Sequence, residues 1–349
     1  MLIGSRSVSE NDPPFIIAEL SSNHDQSLST ALKMVEAVAV SGAHAIKLQT
    51  FTPDMMTLNI QKPDFLIQDS KSLWYGQTLY DLYTKAQTPW EWHSELFAKA
   101  ADLGLVAFST PFDETAVEFL EELDVPCFKI ASFENNHLPL IKKIAQTNKP
   151  IVLSSGLASK AQLEEAIATI REAGSSDILL MKCTSNYPAE EKDSNIKTIP
   201  DIREQFSVEV GISDHTLGIG VAVAAVGLGA TAIEKHFVLE RSSGSLDAAF
   251  SLEPDELTSL VIETGRAWRS LGHIHYGPTK SEEKSCQFRR SIYVSQDLKI
   301  GDLLSKDNIK VVRPGYGLEP KYLDQVLGQR VMSDIPAGSA LNWDMISKG

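Results

Sequence analysis

Residues 151–183, IVLSSGLASKAQLEEAIATIREAGSSDILLMKC, contain one complete strand–helix–strand unit. The apolar runs Ile151–Leu153 and Ile178–Cys183 have the length and composition of buried strands. Between them, Ser159 and Gln162 have the spacing of a helix capping box, and Gly174 is a typical helix stop. This stretch therefore predicts two parallel strands joined by an amphipathic helix.

The same alternation recurs through the first 270 or so residues, where we find eight short apolar runs separated by helical spacing. They are Phe15–Ala18, Ala45–Leu48, Leu105–Phe108, Cys127–Ala131, Ile151–Leu153, Ile178–Cys183, Val208–Ile212 and Thr231–Glu234. Eight strand–helix units in about 250 residues match the size of a (β/α)₈ TIM barrel. A doubly wound open sheet is the alternative, because periodicity alone does not show closure.

Several helix starts are also predicted from the sequence. Thr88–Glu91 has the pattern of a capping box with proline at the first helical position. Asp113 has the position of an N-cap for the next apolar stripe, and Pro254 is expected to begin the last helix of the barrel.

Composition excludes several classes of protein. The 349 residues carry a formal net charge of −14, which argues against bulk electrostatic binding to nucleic acid or to an anionic membrane. We find no apolar stretch of about 18–20 residues and no secretory signal pattern at the start. The three cysteines are far apart and indicate no disulfide framework. We expect a cytoplasmic globular enzyme or binding protein.

The alternation of strands and helices ends after Gly272. Residues 273–288 are polar and read as a linker, whereas residues 289–349 contain short apolar runs broken by turn signals. We therefore predict a barrel domain at 1–272 and a small strand-rich domain at 289–349.

Hydrogen-bonding or ionisable side chains follow each of the eight runs, where a barrel gathers its active site. Hydroxyls together with Lys47 and Lys129 suit an anionic group such as phosphate or carboxylate. His215 and His236 follow adjacent runs and can share one divalent cation, although ordinary hydrogen-bonded histidines would look the same. Alternatively, Lys47, Lys129 or Lys235 forms a Schiff base with a carbonyl substrate.

Eight short motifs follow one another along the predicted barrel: FIIAELSSNH at 15–24, IKLQT at 46–50, FSTPF at 108–112, FKIAS at 128–132, LSSG at 153–156, CTSNYP at 183–188, GISDHTL at 211–217 and IEKHF at 233–237. Together they resemble the sialic acid synthase family. The sequence VRPG at 312–315 is similar to that family's antifreeze-like (SAF) domain, so the resemblance covers essentially the full chain.

The resemblance implies that phosphoenolpyruvate condenses with the open-chain aldehyde of an N-acetylated amino sugar. The product is a nine-carbon 2-keto sugar acid, and phosphate is released. It also implies Mn²⁺ or Mg²⁺ on His215 and His236, and catalytic carboxylates at Glu19, Glu134 and Asp247.

The substrate-binding positions that the resemblance implies are Lys47, Gln49, Thr110, Lys129, Ser132, Ser154, Ser185, Tyr187, Ser213 and Arg313. The family often has asparagine where this chain has Ser185. Arg313 matches an arginine that reaches the other subunit's site, which implies a domain-swapped homodimer.

Within the family, an aromatic-rich segment after the second strand favours the pseudaminic acid branch, whose sugar is 2,4-diacetamido-2,4,6-trideoxy-altrose. The N-acetylneuraminate and legionaminic acid branches are the alternatives. The segment contains LQTFTPD at 48–54, WYG at 74–76, LYDLY at 79–83 and TPWEWH at 88–93. Aromatic faces suit the methyl group of a 6-deoxy sugar, but Trp74, Trp90 and Trp92 can equally pack a long loop and its helix.

Two other classes remain open at this point. A Schiff-base aldolase would use pyruvate and need no metal. A non-catalytic carbohydrate-binding protein would not need Lys47, Lys129, His215 and His236 together.

Overall fold

The computed structural model describes residues 1–70 and 72–347, and the chain divides into two units, Met1–Gly272 and His273–Gly349. In the first unit eight parallel strands close into a barrel in the order β10-β3-β4-β5-β6-β7-β8-β9. These strands are β3 Phe15–Glu19, β4 Ala45–Thr50, β5 Val106–Pro111, β6 Phe128–Ile130, β7 Ile151–Ser154, β8 Ile178–Cys183, β9 Glu209–Ser213 and β10 Ala232–His236. The predicted TIM barrel is confirmed, and the open doubly wound sheet is excluded.

Helices surround the barrel: α1 Leu28–Ser41, α2 Pro53–Met56, α3 Leu79–Ala86, α4 His93–Asp102, α5 Glu114–Glu122, α6 Leu138–Ala145, α7 Lys160–Glu172, α8 Thr198–Phe206, α9 Gly220–Gly227 and α10 Pro254–Leu271. A short antiparallel hairpin, β1 Leu2–Ile3 and β2 Arg6–Ser7, precedes them. No helix in the described parts of the chain has the length and apolar character needed to cross a membrane.

Strand alternation divides the side chains of the barrel between two layers. Phe15, Phe108 and Val152 pack with Ile3 of the hairpin in one apolar cluster. Their neighbours one position along each strand, such as Ile16, belong to a larger cluster shared with the helices. Because the strands run in parallel, the polar residues at their carboxyl ends extend the inner layer beyond its apolar part.

Most of the predicted helix ends are confirmed. Ser159 accepts a hydrogen bond from the backbone of Gln162, and Asp113 caps α5 by accepting from Ala116. The capping box predicted at Thr88 is wrong. A 3₁₀ turn at Trp90–Trp92 precedes α4, and the buried Thr88 hydroxyl bonds instead to His24 Nε2 at 3.1 Å.

The second unit is rich in short β pairings, as predicted for the C-terminal residues. Strand β11, Ser291–Val294, pairs antiparallel with β12, Ile309–Val312, and α11 spans Leu323–Val326. Isolated bridges such as Leu298 to Ile335 add to this sheet. Its own apolar core is Ile292, Val294, Leu298, Leu304, Ile309, Leu318, Val326, Val331, Ile335, Leu341 and Ile346.

Candidate active site

A buried cluster of four charged side chains lies where β3, β4, β6 and β10 end. Strand register pairs Glu19 with Lys47 on one side and with His236 on the other. Lys47 forms ion pairs with Glu19 and, at 3.6 Å, with Glu234. Lys129 Nζ lies 2.8 Å from the second oxygen of Glu234. Glu234 therefore bridges two lysines that belong to different strands.

Glu234 and Lys47 keep their charges despite burial, whereas burial raises the pKa of Glu19. Burial raises the pKa of Glu234, but Lys129 and Lys47 outweigh it and lower that pKa to about 2. Burial opposes the charged form of Lys47, yet Glu19 and Glu234 raise its pKa. A protonated lysine is a poor nucleophile and a good donor to an anion, so this lysine suits anion binding rather than Schiff-base formation.

Hydroxyl groups surround the two lysines. Thr110 accepts a hydrogen bond from Lys47 at 3.4 Å, and Ser213 donates to Glu234 at 3.3 Å. Ser132 and Ser185 approach Gly156 so closely that a β-carbon there would collide with both hydroxyls. The absence of a side chain at this glycine lets two donor hydroxyls lie directly against the backbone.

We call the two lysines and the hydroxyls around them the anion cradle. Asn135 fixes the backbone beside it, because the Asn135 amide donates to the carbonyls of Ser154 and Gly156. Ser154 itself is buried at the end of β7. The predicted phosphoenolpyruvate residues thus meet at the same end of the barrel.

His215 and His236 face each other with ring centroids 5.2 Å apart. His215 Nδ1 lies 3.0 Å from the carbonyl oxygen of Thr184. A ring that donates from Nδ1 presents the lone pair of Nε2 to a metal. His236 Nδ1 is buried and has no hydrogen-bond partner.

The donor set fits a divalent cation bound by two imidazoles. Burial holds the pKa of His236 well below its usual range, so that ring is neutral, whereas the contact with Cys183 raises the pKa of His215 against the effect of burial. Neutral imidazole is the form that binds metals. Across residues 1–70 and 72–347 no cluster of three or more histidine, cysteine or acidic side chains could hold a metal ion. A cation on these two histidines would therefore take its other ligands from substrate and water.

Asp247 connects the histidines to the start of the barrel. Its Oδ2 lies 3.6 Å from His236 Nδ1 and accepts a hydrogen bond of 2.5 Å from Ser21. Gln49 donates to both Ser21 and Glu19. Asp247 and Gln49 thus belong to one hydrogen-bonded network with Glu19.

Tyr187 forms an aromatic wall beside the histidines. Its ring centroid lies 4.5 Å from that of His215 and 6.4 Å from that of His236. Phe250 packs against Tyr187 at 5.5 Å and against His236 at 4.9 Å. These rings shield the two histidines from water on one side.

Two predicted site residues stand apart from this network. Glu134 has a buried carboxylate oxygen without a hydrogen-bond partner, and burial raises its pKa to about 7. Arg313 is exposed in the second unit and forms no hydrogen bond or ion pair with any residue that the structure describes.

One candidate lysine is excluded from the site. Lys235 lies between the inward-facing Glu234 and His236 on β10, so strand alternation turns its side chain toward the helices. There it donates to Asp214 at 3.0 Å and to the carbonyls of Thr216 and Gly218 at 2.6 and 2.9 Å. The prediction that Lys235 is placed to attack a carbonyl substrate is wrong.

The sequence predictions left out three residues that the structure adds. Glu234 was noted only as a strand-end residue, although its shared parity with His236 indicates the same inward face. Ser21 and Cys183 lie within the motifs FIIAELSSNH and CTSNYP, but neither was assigned a role; Cys183 Sγ lies 3.9 Å from His215 Nδ1. Burial raises the pKa of Cys183, but hydrogen bonding and attraction to His215 outweigh it and lower that pKa to about 7.

Known proteins are similar to this chain in sequence and in fold. The NeuB family profile matches residues 34–276, and the SAF domain profile matches residues 289–347. The chain belongs to the NeuB family. It is 44% identical to the pseudaminic acid synthase of Campylobacter jejuni over 94% of this chain and 95% of that protein.

The chain is also 44% identical to the pseudaminic acid synthase of Helicobacter pylori, over 96% of this chain and 98% of that protein. Among solved structures, the N-acetylneuraminic acid synthetase of Leptospira borgpetersenii, in complex with citrate, superposes with a TM-score of 0.74 at 30% identity. That superposition covers 83% of this chain and 95% of the Leptospira chain.

Proposed function

We propose that this NeuB family protein condenses phosphoenolpyruvate with 2,4-diacetamido-2,4,6-trideoxy-altrose, the reaction of a pseudaminic acid synthase. One observation carries the reaction type: an anion cradle of two buried lysines and several hydroxyls adjoins two facing histidines at one barrel mouth. The choice of sugar is supported by 44% identity to proteins with that name, against 34% to the N,N'-diacetyllegionaminic acid synthase of Campylobacter jejuni.

Phosphoenolpyruvate is bound by the cradle. Lys47 and Lys129 donate charge-assisted hydrogen bonds to its carboxylate and phosphate oxygens. Ser132 and Ser185 donate from beside Gly156, and Ser213 and Thr110 complete the ring of hydroxyls. This binding holds C3 of phosphoenolpyruvate toward the histidines.

His215 and His236 would hold Mn²⁺ or Mg²⁺, which supplies Lewis acidity toward the aldehyde oxygen of the sugar. Tyr187 and Phe250 keep that region dry, and Asp247 orients His236 across a 3.6 Å contact. Gln49 contributes a side-chain amide on the sugar side.

Carbon–carbon bond formation leaves positive character at C2 of the former phosphoenolpyruvate. Glu19 and Asp247 stabilise that charge and orient the water that adds to C2. Glu134, with a pKa of about 7, can take up or release a proton near neutral pH. Cleavage of the C2–O bond in the resulting tetrahedral intermediate then releases inorganic phosphate and leaves the 2-keto acid.

A Schiff-base aldolase is the second candidate. The positions and charges of Lys47 and Lys235 argue against it. Lys235 faces away from the mouth, and the pKa of Lys47 is raised, by its two carboxylate partners, rather than lowered. A non-catalytic carbohydrate-binding protein would have no use for the lysine cradle beside two histidines.

The deciding experiment is a phosphate-release assay with phosphoenolpyruvate and a panel of N-acetylated hexoses and 6-deoxy diacetamido-hexoses. We expect kcat/KM to be highest with the diacetamido-altrose, release to stop with EDTA and return with Mn²⁺. Borohydride with pyruvate should trap no adduct. A higher kcat/KM with N-acetylmannosamine would overturn the choice of sugar, and full activity in EDTA would overturn the metal.

We also propose that the working unit is a domain-swapped homodimer in which Arg313 binds the sugar in the partner's site. Arg313 is exposed and without a polar partner in the part of the chain that the structure describes. Phe133, Leu157 and Leu217 lie in loops just beyond barrel strands and are 59%, 71% and 58% exposed. Exposed apolar side chains around a mouth indicate a surface that another subunit covers.

Mixing two inactive variants tests this arrangement. Arg313→Ala should lower kcat/KM for the sugar by about 10–100-fold, because a charge-assisted hydrogen bond contributes roughly 1.5–3 kcal/mol. If sites are shared, subunit exchange with His215→Ala creates some sites that carry both Arg313 and His215, and activity partly returns. No return of activity, with exchange verified by mass spectrometry, would refute the swap.

A further inference from the structure

Trp74 lies at the turn of a surface loop whose two sides are hydrogen-bonded. Leu66 bridges to Thr78, and the amide of Gly76 donates to the carbonyl of Ile67. The Trp74 amide donates to Ser72 Oγ at 3.2 Å, and the Trp74 carbonyl accepts from Gln77. The backbone of this tryptophan is therefore held in place on both sides.

The Trp74 side chain continues the aromatic wall of the site. Its ring centroid lies 6.5 Å from Tyr187, which in turn contacts both His215 and His236. The Trp74 Nε1 atom is buried and has no hydrogen-bond partner. An indole N–H can only donate, and a buried donor without an acceptor is costly.

An unpartnered indole alone does not indicate a ligand, as Trp90 shows. Trp90 Nε1 is also buried without a partner, but its ring stacks on Phe119 of α5 at a centroid distance of 4.6 Å. Only Trp74 combines the open donor with a contact to the ring beside the histidines. The pair therefore offers a site residue and a matched control.

We propose that Trp74 determines sugar specificity: its indole N–H donates to the carbonyl oxygen of the acetamido group at C4, and its ring covers the acetyl methyl. This inference rests on the proposed function, which puts the aldehyde carbon C1 at His215 and His236. The acetamido group at C2 then stays near the histidines, and the one at C4 is the amide that extends past Tyr187. A C4 hydroxyl places its oxygen two bonds closer to the sugar ring than the acetamido carbonyl does, so it does not reach the indole N–H, and it brings no methyl group to cover the ring.

The test compares Trp74→Phe with Trp90→Phe, because each removes one buried N–H and keeps an aromatic ring. Both variants and the wild type are assayed with the diacetamido-altrose and with its analogue that carries a hydroxyl at C4. We expect Trp74→Phe to lower kcat/KM for the diacetamido sugar about tenfold. With the hydroxyl analogue it should change kcat/KM less than threefold, and KM for phosphoenolpyruvate should not change. Trp90→Phe should leave both sugars as in the wild type.

The outcomes separate this inference from the proposed function. If the wild type prefers the diacetamido sugar and Trp74→Phe retains that preference in full, the role of Trp74 is refuted while the function stands. An equal loss with both sugars, or the same loss in Trp90→Phe, also refutes it, because both results indicate a general structural effect. If the wild type prefers a sugar without the C4 acetamido group, the proposed function and the role of Trp74 fail together.

Discussion

Lys129 and Lys235 are both 1% exposed and both form an ion pair with one carboxylate, yet their remaining N–H groups differ. Lys235 has three acceptors, Asp214 and two backbone carbonyls, so its ammonium group is saturated by the protein. Lys129 has one acceptor, Glu234, within the described residues. Buried donors are normally satisfied, so the open N–H directions of Lys129 indicate a ligand.

The same comparison applies to the histidines. His24 is hydrogen-bonded through Nε2 to Thr88 and through Nδ1 to the amide of Gln26, so its role is structural. His236 has no partner at Nδ1 and lies at the barrel mouth. For these two lysines and two histidines, hydrogen-bond saturation thus separates structural from functional groups more sharply than burial does.

The largest effects should come from exchanging the two lysines for methionine. Lys129→Met should lower phosphate release about 10²–10³-fold, because one preorganised donor to a reacting anion is lost. Glu234 keeps Lys47 as a partner, so the free energy of unfolding should fall only modestly.

Lys235→Met should lower stability strongly and activity only weakly. It leaves Asp214 buried without its counter-ion, so the free energy of unfolding should fall by about 3–5 kcal/mol. The kcat of the folded fraction should fall far less than in Lys129→Met. Urea unfolding and phosphate release on the same preparations measure both quantities. If the two variants lost activity equally, hydrogen-bond saturation would not distinguish the two lysines.

Acid should destabilise the fold through buried histidines that the fold holds neutral. Burial lowers the pKa of His24 and of His93 to about 4. The unfolded chain takes up protons on these rings near pH 6.5, but the folded chain only near pH 4. Their contribution to stability is therefore complete above pH 6.5 and is lost as the pH falls toward 4, by up to about 3 kcal/mol for each ring.

Urea unfolding between pH 7.5 and 4.5 measures this loss. His24→Gln should flatten the slope of unfolding free energy against pH, whereas His273→Gln, at an exposed position of the second unit, should not. An unchanged slope in His24→Gln would show that this ring is not held neutral by the fold.

Strand β10 shows which features of the molecule follow from local sequence and which do not. The apolar run at 231–234 predicted the strand, and the alternation of Glu234, Lys235 and His236 was enough to turn Lys235 away from the mouth. The partners of these residues were beyond prediction, because Lys129 meets Glu234 across 105 positions of chain. The start of α4 was misjudged because Thr88 bonds to His24, a contact that no local pattern contains.

The smallest effect separates two neighbouring serine hydroxyls. Ser155 Oγ accepts a hydrogen bond from the amide of Cys183 at 3.3 Å, whereas Ser185 Oγ lies against Gly156 and has the weaker sulfur partner Cys183 Sγ at 3.6 Å. Ser185→Ala should raise KM for phosphoenolpyruvate about threefold to tenfold with little change in kcat, since one neutral hydrogen bond contributes about 0.5–1.5 kcal/mol. Ser155→Ala should lower the free energy of unfolding by about 1 kcal/mol and leave that KM unchanged. The reverse assignment of these two effects would mean that the Ser155 hydroxyl, and not the Ser185 hydroxyl, binds the substrate.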